Sequence, residues 1–203
     1  TGAFNTAIGS QSLYSNTTAS NNTAVGYQAL YSNTTGGYTV GIGRQAGYSW
    51  SNASENGGSV FIGDSAGKNT TGHDNTFVGG VAGYSTTTGN FNTSVGSGAL
   101  LSNTTASNNT AVGYQAGYSN TTGAESVYIG QNAGYSATTN GQNVFVGRYA
   151  GYSTTGGYNC FIGYGAGNAI TSGTKNTILG RYDGNYGGLD IRTASNYIVL
   201  SDG

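Results

Sequence analysis

The stretch Asn22-Thr23-Ala24-Val25-Gly26-Tyr27-Gln28-Ala29-Leu30-Tyr31-Ser32-Asn33-Thr34-Thr35 decides the fold, because residues 109–122 repeat it with one change. Its aliphatic–glycine pair recurs along the chain, at Ile8-Gly9, Val25-Gly26, Ile42-Gly43, Ile62-Gly63, Val78-Gly79, Val95-Gly96, Val112-Gly113, Ile129-Gly130, Val146-Gly147, Ile162-Gly163 and Leu179-Gly180. The intervals between those glycines are 17, 17, 20, 16, 17, 17, 17, 17, 16 and 17 residues. A short fixed period is the signature of stacked units, each too small to bury a core alone.

With the glycine as position 0, each column has its own chemistry. Position −3 holds Thr, Val or Cys160, and position −2 varies from Ala7 and Ala24 to Phe61, Phe77, Tyr128, Phe145 and Phe161. Position −4 is mostly Asn, position +3 mostly Ala, and position +5 mostly Tyr. A block such as Asn22–Gly26 is too short for a helix and rich in β-formers, so it reads as a strand. Gln28–Ser32 reads as a second, weaker strand, and Asn33–Gly37 as a turn. Two short strands and two turns per copy make one coil of a flattened parallel β-roll, an all-β solenoid of about 11 coils with a 17-residue period. The extra residues of the long interval, around Trp50–Asn56, are expected in a protruding loop.

Strand side chains alternate between faces. The invariant aliphatic column (Ile8, Val25, Ile42, Ile62, Val78, Val95, Val112, Ile129, Val146, Ile162 and Leu179) is expected to be the core ladder, sharing its face with the −3 column. An interior of one Val, one Thr and one Ala per copy buries too little apolar surface to offset the ordering of a coil. A second buried face is therefore expected, and Phe61, Phe77, Tyr128, Phe145 and Phe161 are the candidate subunit contact. Residues 1–180 form the repetitive roll. Residues 181–203 form an atypical C-terminal capping segment, with five of the 13 charged residues and a possible last strand at Tyr197–Leu200.

Composition narrows function by exclusion. The chain has 38 Gly, 17 Tyr, no Pro, 6% charged residues and a net charge of −1. Its six basic residues are dispersed, which argues against nucleic acid and anionic membrane surfaces as partners. No apolar run approaches the length of a membrane-spanning helix, so membrane insertion is not expected. One cysteine leaves no internal disulfide framework. Thr1 falls inside a repeat, so a longer parent chain is expected.

The phrase Asn-Thr-Ala-Val-Gly-Tyr-Gln-Ala at 22–29 and 109–116 resembles the head repeat of trimeric autotransporter adhesins. Extended through Leu30-Tyr31-Ser32-Asn33-Thr34-Thr35, it looks still more like repeats of bacteriophage tail fibres. Ala194–Gly203 is similar to the segment preceding a self-cleaving intramolecular chaperone in such fibres. The resemblance implies a homotrimeric fibre used in host attachment and an extracellular place, on a virion tail fibre or a cell surface. The 17-residue period departs from the shorter adhesin repeat, and no chaperone residues are present to carry over.

Catalytic signals are sparse. His73 stands alone in a turn between copies, and Cys160 fills a column of Thr and Val as a small packed residue. Gly163-Tyr164-Gly165-Ala166-Gly167 mimics a dinucleotide fingerprint without a βαβ unit around it. No aspartate column exists for calcium. No cofactor or metal site and no enzymatic activity are expected. Tyr14, Tyr31, Tyr48, Tyr84, Tyr118, Tyr135 and Tyr152 are a candidate glycan platform, since ring faces contact sugars and hydroxyls bond to them; a packing ladder is the competing reading. The −4 asparagines are expected to form an amide ladder. Asn16, Asn21, Asn33, Asn52, Asn69, Asn92, Asn103, Asn108 and Asn120 begin Asn-x-Ser/Thr sequences in expected surface turns. The −3 threonines are interrupted by Val40, Val60, Val127, Val144 and Cys160, which weakens an ice-binding face. The expected function is a non-enzymatic fibre segment, either shaft or adhesive head, that partners itself as a homotrimer and displays a repetitive surface to host glycans. The alternatives are a self-assembling extracellular filament and a monomeric glycan- or ice-binding solenoid.

Overall fold

The computed structural model describes residues 2–51 and 58–201. It is a parallel β-solenoid with no helix among the described residues. Eleven rungs follow the sequence period: β1 (Thr6–Ile8), β2 (Thr23–Val25), β3 (Val40–Ile42), β4 (Val60–Ile62), β5 (Thr76–Val78), β6 (Thr93–Val95), β7 (Thr110–Val112), β8 (Val127–Ile129), β9 (Val144–Val146), β10 (Cys160–Ile162) and β11 (Thr177–Gly180). They pair in sequence order and in register, Val25 beside Ile42 and Val112 beside Ile129, so like columns stack. A two-stranded hairpin follows, β12 (Asn185–Tyr186) and β13 (Leu189–Asp190), turned by Gly187-Gly188. The chain then returns as β14 (Ile198–Ser201), parallel to β11 and the twelfth strand of the sheet. At roughly 4.8 Å per strand the stack is about 50 Å long.

Each coil has one strand where the sequence suggested two. The stretch after the glycine is a run of turns, because positions +2 and +4 sit in the left-handed region: Gln28 at φ 56° and Leu30 at φ 50°, Gln115 at 53° and Gly117 at 60°. A strand cannot hold alternate left-handed residues. The stretch is stacked all the same, with Leu30 N–H donating to Ala46 C=O at 2.9 Å and Ser32 N–H to Tyr48 C=O at 3.0 Å in the next coil.

The interior is the opposite face of the strand from the one expected. Ala24, Phe61, Phe77, Tyr128, Phe145 and Phe161, all at −2, are fully buried. The proposed core ladder points outward: Ile8 is 60% exposed, while Ile42, Val95, Val112, Ile129, Ile162 and Leu179 are 37–41% exposed. Val25, Ile62, Val78 and Val146 are half-buried. The aromatic column is therefore the core of one chain and has no surface left for a subunit contact. The physical reason lies across the coil, at +4. Where −2 carries a ring, +4 of the same coil is glycine (Phe61/Gly67, Phe77/Gly83, Tyr128/Gly134, Phe145/Gly151, Phe161/Gly167). Where −2 is small, +4 is often leucine (Ala7/Leu13, Ala24/Leu30, Ser94/Leu100). A Cβ on Gly151 would sit 2.6 Å from the Phe145 ring, and one on Gly67 2.3 Å from Phe61. Coils 3 and 7, small at both positions, lie beside coils that fill their layers: Leu30 and Phe61 crowd Gly47, and Leu100 and Tyr128 crowd Gly117. The interior is thus close-packed by exchange of volume between two columns.

The position-0 glycines are needed for a close approach. Gly113 has φ 137°, and a Cβ there would meet the carbonyl oxygen of Gly130 at 2.6 Å. Buried asparagines seal the turns. Asn92 Oδ1 accepts the Asn109 N–H at 3.0 Å, and its Nδ2 donates to Ala106 C=O at 2.9 Å. Asn103 Nδ2 donates to the same carbonyl at 3.1 Å. The −4 side chains therefore bond to backbone, where an amide-to-amide ladder was expected. Trp50 is not in a protruding loop; it is fully buried, its Nε1 donating to Gly72 C=O at 3.2 Å. Residues 52–56 of that expected loop lie outside the described residues.

Candidate functional site

The outward face of the sheet is a repeated surface that runs the length of the stack. Its two central columns are −3 (Thr6, Thr23, Val40, Val60, Thr76, Thr93, Thr110, Val127, Val144, Cys160, Thr177, continued by Ile198) and the aliphatic −1 column, continued by Leu200. No charged residue occurs in either. Isolated surface Leu or Val residues need no explanation, but an apolar stripe running over twelve strands does. Its margins are polar and aromatic. On one side, at −5, stand Phe4, Tyr38, Phe91 and Tyr158, each more than half exposed. On the other, at +1, stand Tyr27, Tyr114 and Tyr164 with Arg44, Asp64, Arg148 and Arg181. Arg44 and Asp64 form an ion pair between adjacent coils at 2.6 Å.

The +5 tyrosines stack. Ring centroids are 5.1 Å apart for Tyr14–Tyr31, 5.0 Å for Tyr31–Tyr48, 5.0 Å for Tyr118–Tyr135 and 5.1 Å for Tyr135–Tyr152, with interplanar angles from 3° to 13°. Between the two blocks the column holds Lys68, Tyr84 and Leu101, and the Lys68 ammonium lies 5.7 Å from the Tyr84 centroid. Because the ring faces lie on one another, edges and hydroxyls are what the ladder turns outward. That geometry serves stacking between coils better than a sugar face.

The remaining candidates are placed plainly. His73 is half-buried in its turn, Nδ1 2.8 Å from Asp74 Oδ2, with Phe91 edge-on at 5.2 Å. Cys160 is a free thiol on the half-exposed outward face, so it is not packed inside. Among the described residues, no group of three His, Cys, Asp or Glu side chains is placed to hold a metal ion. Asn33, Asn92, Asn103 and Asn120 are fully buried with their amides bonded, so a folded chain cannot offer them for glycosylation; Asn21 and Asn108 are exposed, Asn16 and Asn69 half-buried, and Asn52 lies outside the described residues. Burial pushes the Tyr128 hydroxyl up to about 12; nearby Ser126 and Asn143 oppose the shift weakly, and neither meets hydrogen-bond geometry with it. Arg192, bonded to Asp190, holds that carboxyl down at about 2.

No family model, curated protein or solved structure compared with the chain matches it. The sequence reading missed the outward stripe because it assigned an invariant aliphatic column to the core. The covariation of −2 with +4 was the available signal.

Proposed function

We propose that the chain is a non-enzymatic fibre segment that associates with copies of itself through the outward sheet face, as a homotrimer in which three such faces surround a common axis. The observation that carries this reading is the uncharged Thr/Val and Val/Ile stripe, left open along all twelve strands. From the −3 to the +1 column the strip is about 13 Å wide along coils 1–9 and narrows to the −3 and −1 columns at coils 10 and 11, where Tyr164 and Arg181 stand outside it; over ~50 Å this gives on the order of 600 Å² per copy, approaching the ~800 Å² per partner of stable interfaces. Its apolar centre and polar, aromatic margins match the anatomy of such contacts. The rod then displays its −5 and +5 columns repeatedly to the outside, a geometry suited to many weak attachments acting together. Placement on a virion tail fibre or a cell surface follows from the tail-fibre and adhesin resemblance.

Light scattering on the purified chain tests it. A trimer has three times the 20.4 kDa chain mass. Val112→Asp, introduced at a position 37% exposed in the single chain, is expected to give a folded monomer. A wild-type chain that stays monomeric at tens of micromolar overturns the reading, and an open-ended mass distribution favours the filament instead. A second reading uses the same face differently: six of the eleven −3 residues are threonines that project outward from the sheet, a partial match to an ice-binding face. Thermal hysteresis from a monomer would select it.

A further inference from the structure

The coils differ from one another least along the sheet and most where β11 gives way to the β12–β13 hairpin. There a cleft of about 430 Å³ opens, lined by Tyr164, Gly165, Asn168, Arg181, Asp183 and Tyr186. Its size lies in the range of small-molecule sites. It exists because two repeat columns change character together. Asn168 takes the +5 place that tyrosine holds in coil 9, which shortens the wall. The hairpin then carries Tyr186 outward, 71% exposed, while Gly165 has nothing within 4 Å of where a Cβ would be.

Among the described residues the four arginines divide into two that meet a carboxylate and two that do not. Arg44 is paired with Asp64, and Arg192 with Asp190 at 2.7 Å. Among the described residues Arg181 and Arg148 have no carboxylate within ion-pair distance. Both instead pack on aromatic rings. Arg181 lies 5.5 Å from the Tyr164 centroid, and Arg148 lies 5.8 Å from the same ring and 4.6 Å from Tyr149. Coils 9, 10 and 11 thus present Arg148, Tyr164 and Arg181 in one column, the ring between two guanidiniums. Arg148 donates from Nη2 to the Tyr149 hydroxyl at 3.2 Å, whereas packing on the Tyr164 ring leaves the Arg181 N–H donors available. Asp183 already accepts the Asn185 N–H through Oδ1 at 2.8 Å, which orients its carboxylate beside the cleft.

We infer that this cleft binds one sugar unit of an acidic glycan, a hexuronic or sialic acid residue. Arg181 receives the sugar carboxylate through paired N–H donors. Tyr186 offers an exposed ring for the apolar face of the sugar. Asn168 and Asp183 bond to its hydroxyls, one as donor and acceptor and the other as acceptor. Tyr164 is a positioning residue that holds Arg181. The choice of a glycan rests on the reading of the chain as an attachment fibre; the cleft and its unpaired guanidinium do not.

Titration calorimetry with the methyl glycosides of glucuronic, galacturonic and N-acetylneuraminic acid, against methyl glucoside as the neutral control, tests the site. At least one acidic glycoside is expected to saturate one site per chain with a dissociation constant of about a millimolar, at least about fivefold tighter than the neutral sugar. Arg181→Gln and Tyr186→Ala, both at exposed positions, are each expected to weaken binding about tenfold or more. Arg44→Gln, the same column in coil 3, is expected to leave it within about twofold. The inference is overturned if no acidic glycoside saturates, if the neutral sugar binds equally, or if Arg181→Gln changes nothing while melting curves show every variant folded. Light scattering on the same samples separates the two readings: a monomer that binds ends the fibre reading and keeps the site, and a trimer that does not bind ends the site alone.

Discussion

Tyr128 shows how little freedom one position has in so thin an interior. It occupies a column of phenylalanines, fully buried, and its hydroxyl has no hydrogen-bond partner. A buried unpaired hydroxyl costs about 1–3 kcal/mol. Tyr128→Phe is therefore expected to raise stability by about 1 kcal/mol at neutral pH, read from denaturant midpoints. Direction with pH follows from the raised value. Between about pH 10 and pH 12 the unfolded chain releases this proton and the folded chain keeps it, so stability is complete below that window and falls across it. The phenylalanine variant should lose less over the same range, and identical alkaline profiles would refute the assignment. The glycine column makes a comparable demand by different means, since Gly113 and its equivalents are placed where any side chain strikes the carbonyl of the next coil.

At the scale of the coil, the exchange of volume between −2 and +4 is the rule that organises the elements. Phe145 lies fully buried against Gly151, and leucine already lives at the left-handed +4 position elsewhere, at φ 48–50° for Leu13, Leu30 and Leu100. Phe145→Ala should cost about 3–5 kcal/mol through the cavity it leaves. Adding Gly151→Leu should recover at least about 1 kcal/mol, and a double variant no more stable than the single one would break the rule. The same rule explains what the sequence disclosed and what it hid. The period and the single-residue register were plain, because like columns must stack. Which strand face is inside was not, because both carry apolar residues. Uniform Val and Ile suit an outward strand face, whereas a core filled by complementary partners has to vary. The binding cleft was less legible still. Arg148, Tyr164 and Arg181 share the +1 column and were there to be noticed, but the hairpin that completes the cleft reads in sequence only as a decaying repeat.

At the scale of the molecule most of the buried apolar side chains among the described residues fall into two clusters, one from Leu13 to Ala82 and one from Ala99 to Ile191. Ser94 separates them. It takes the −2 place between Phe77 and Ala111, with Oγ donating to Ala99 C=O at 2.7 Å. Repeat arrays behave as chains of nearest-neighbour couplings, and a weak link divides their cooperativity. Hydrogen exchange should show two protection levels that change near coil 6. Phe145→Ala should lower protection from Ala99 onward much more than from Ala24 to Ala82. One uniform level, lowered equally throughout, would show that the serine is no boundary.

The tie between coils has a consequence for size. Each coil meets only the one before and the one after, through the same carbonyls, glycine approach and asparagine amides. Excising or duplicating a 17-residue copy between two such joints moves the distal parts by about one strand spacing, ~4.8 Å, provided that the −2 and +4 side chains of the new neighbours still fill the layer between them. The solenoid is in effect a ruler graduated in coils, and its reach can be reset by gene duplication without redesigning either extremity.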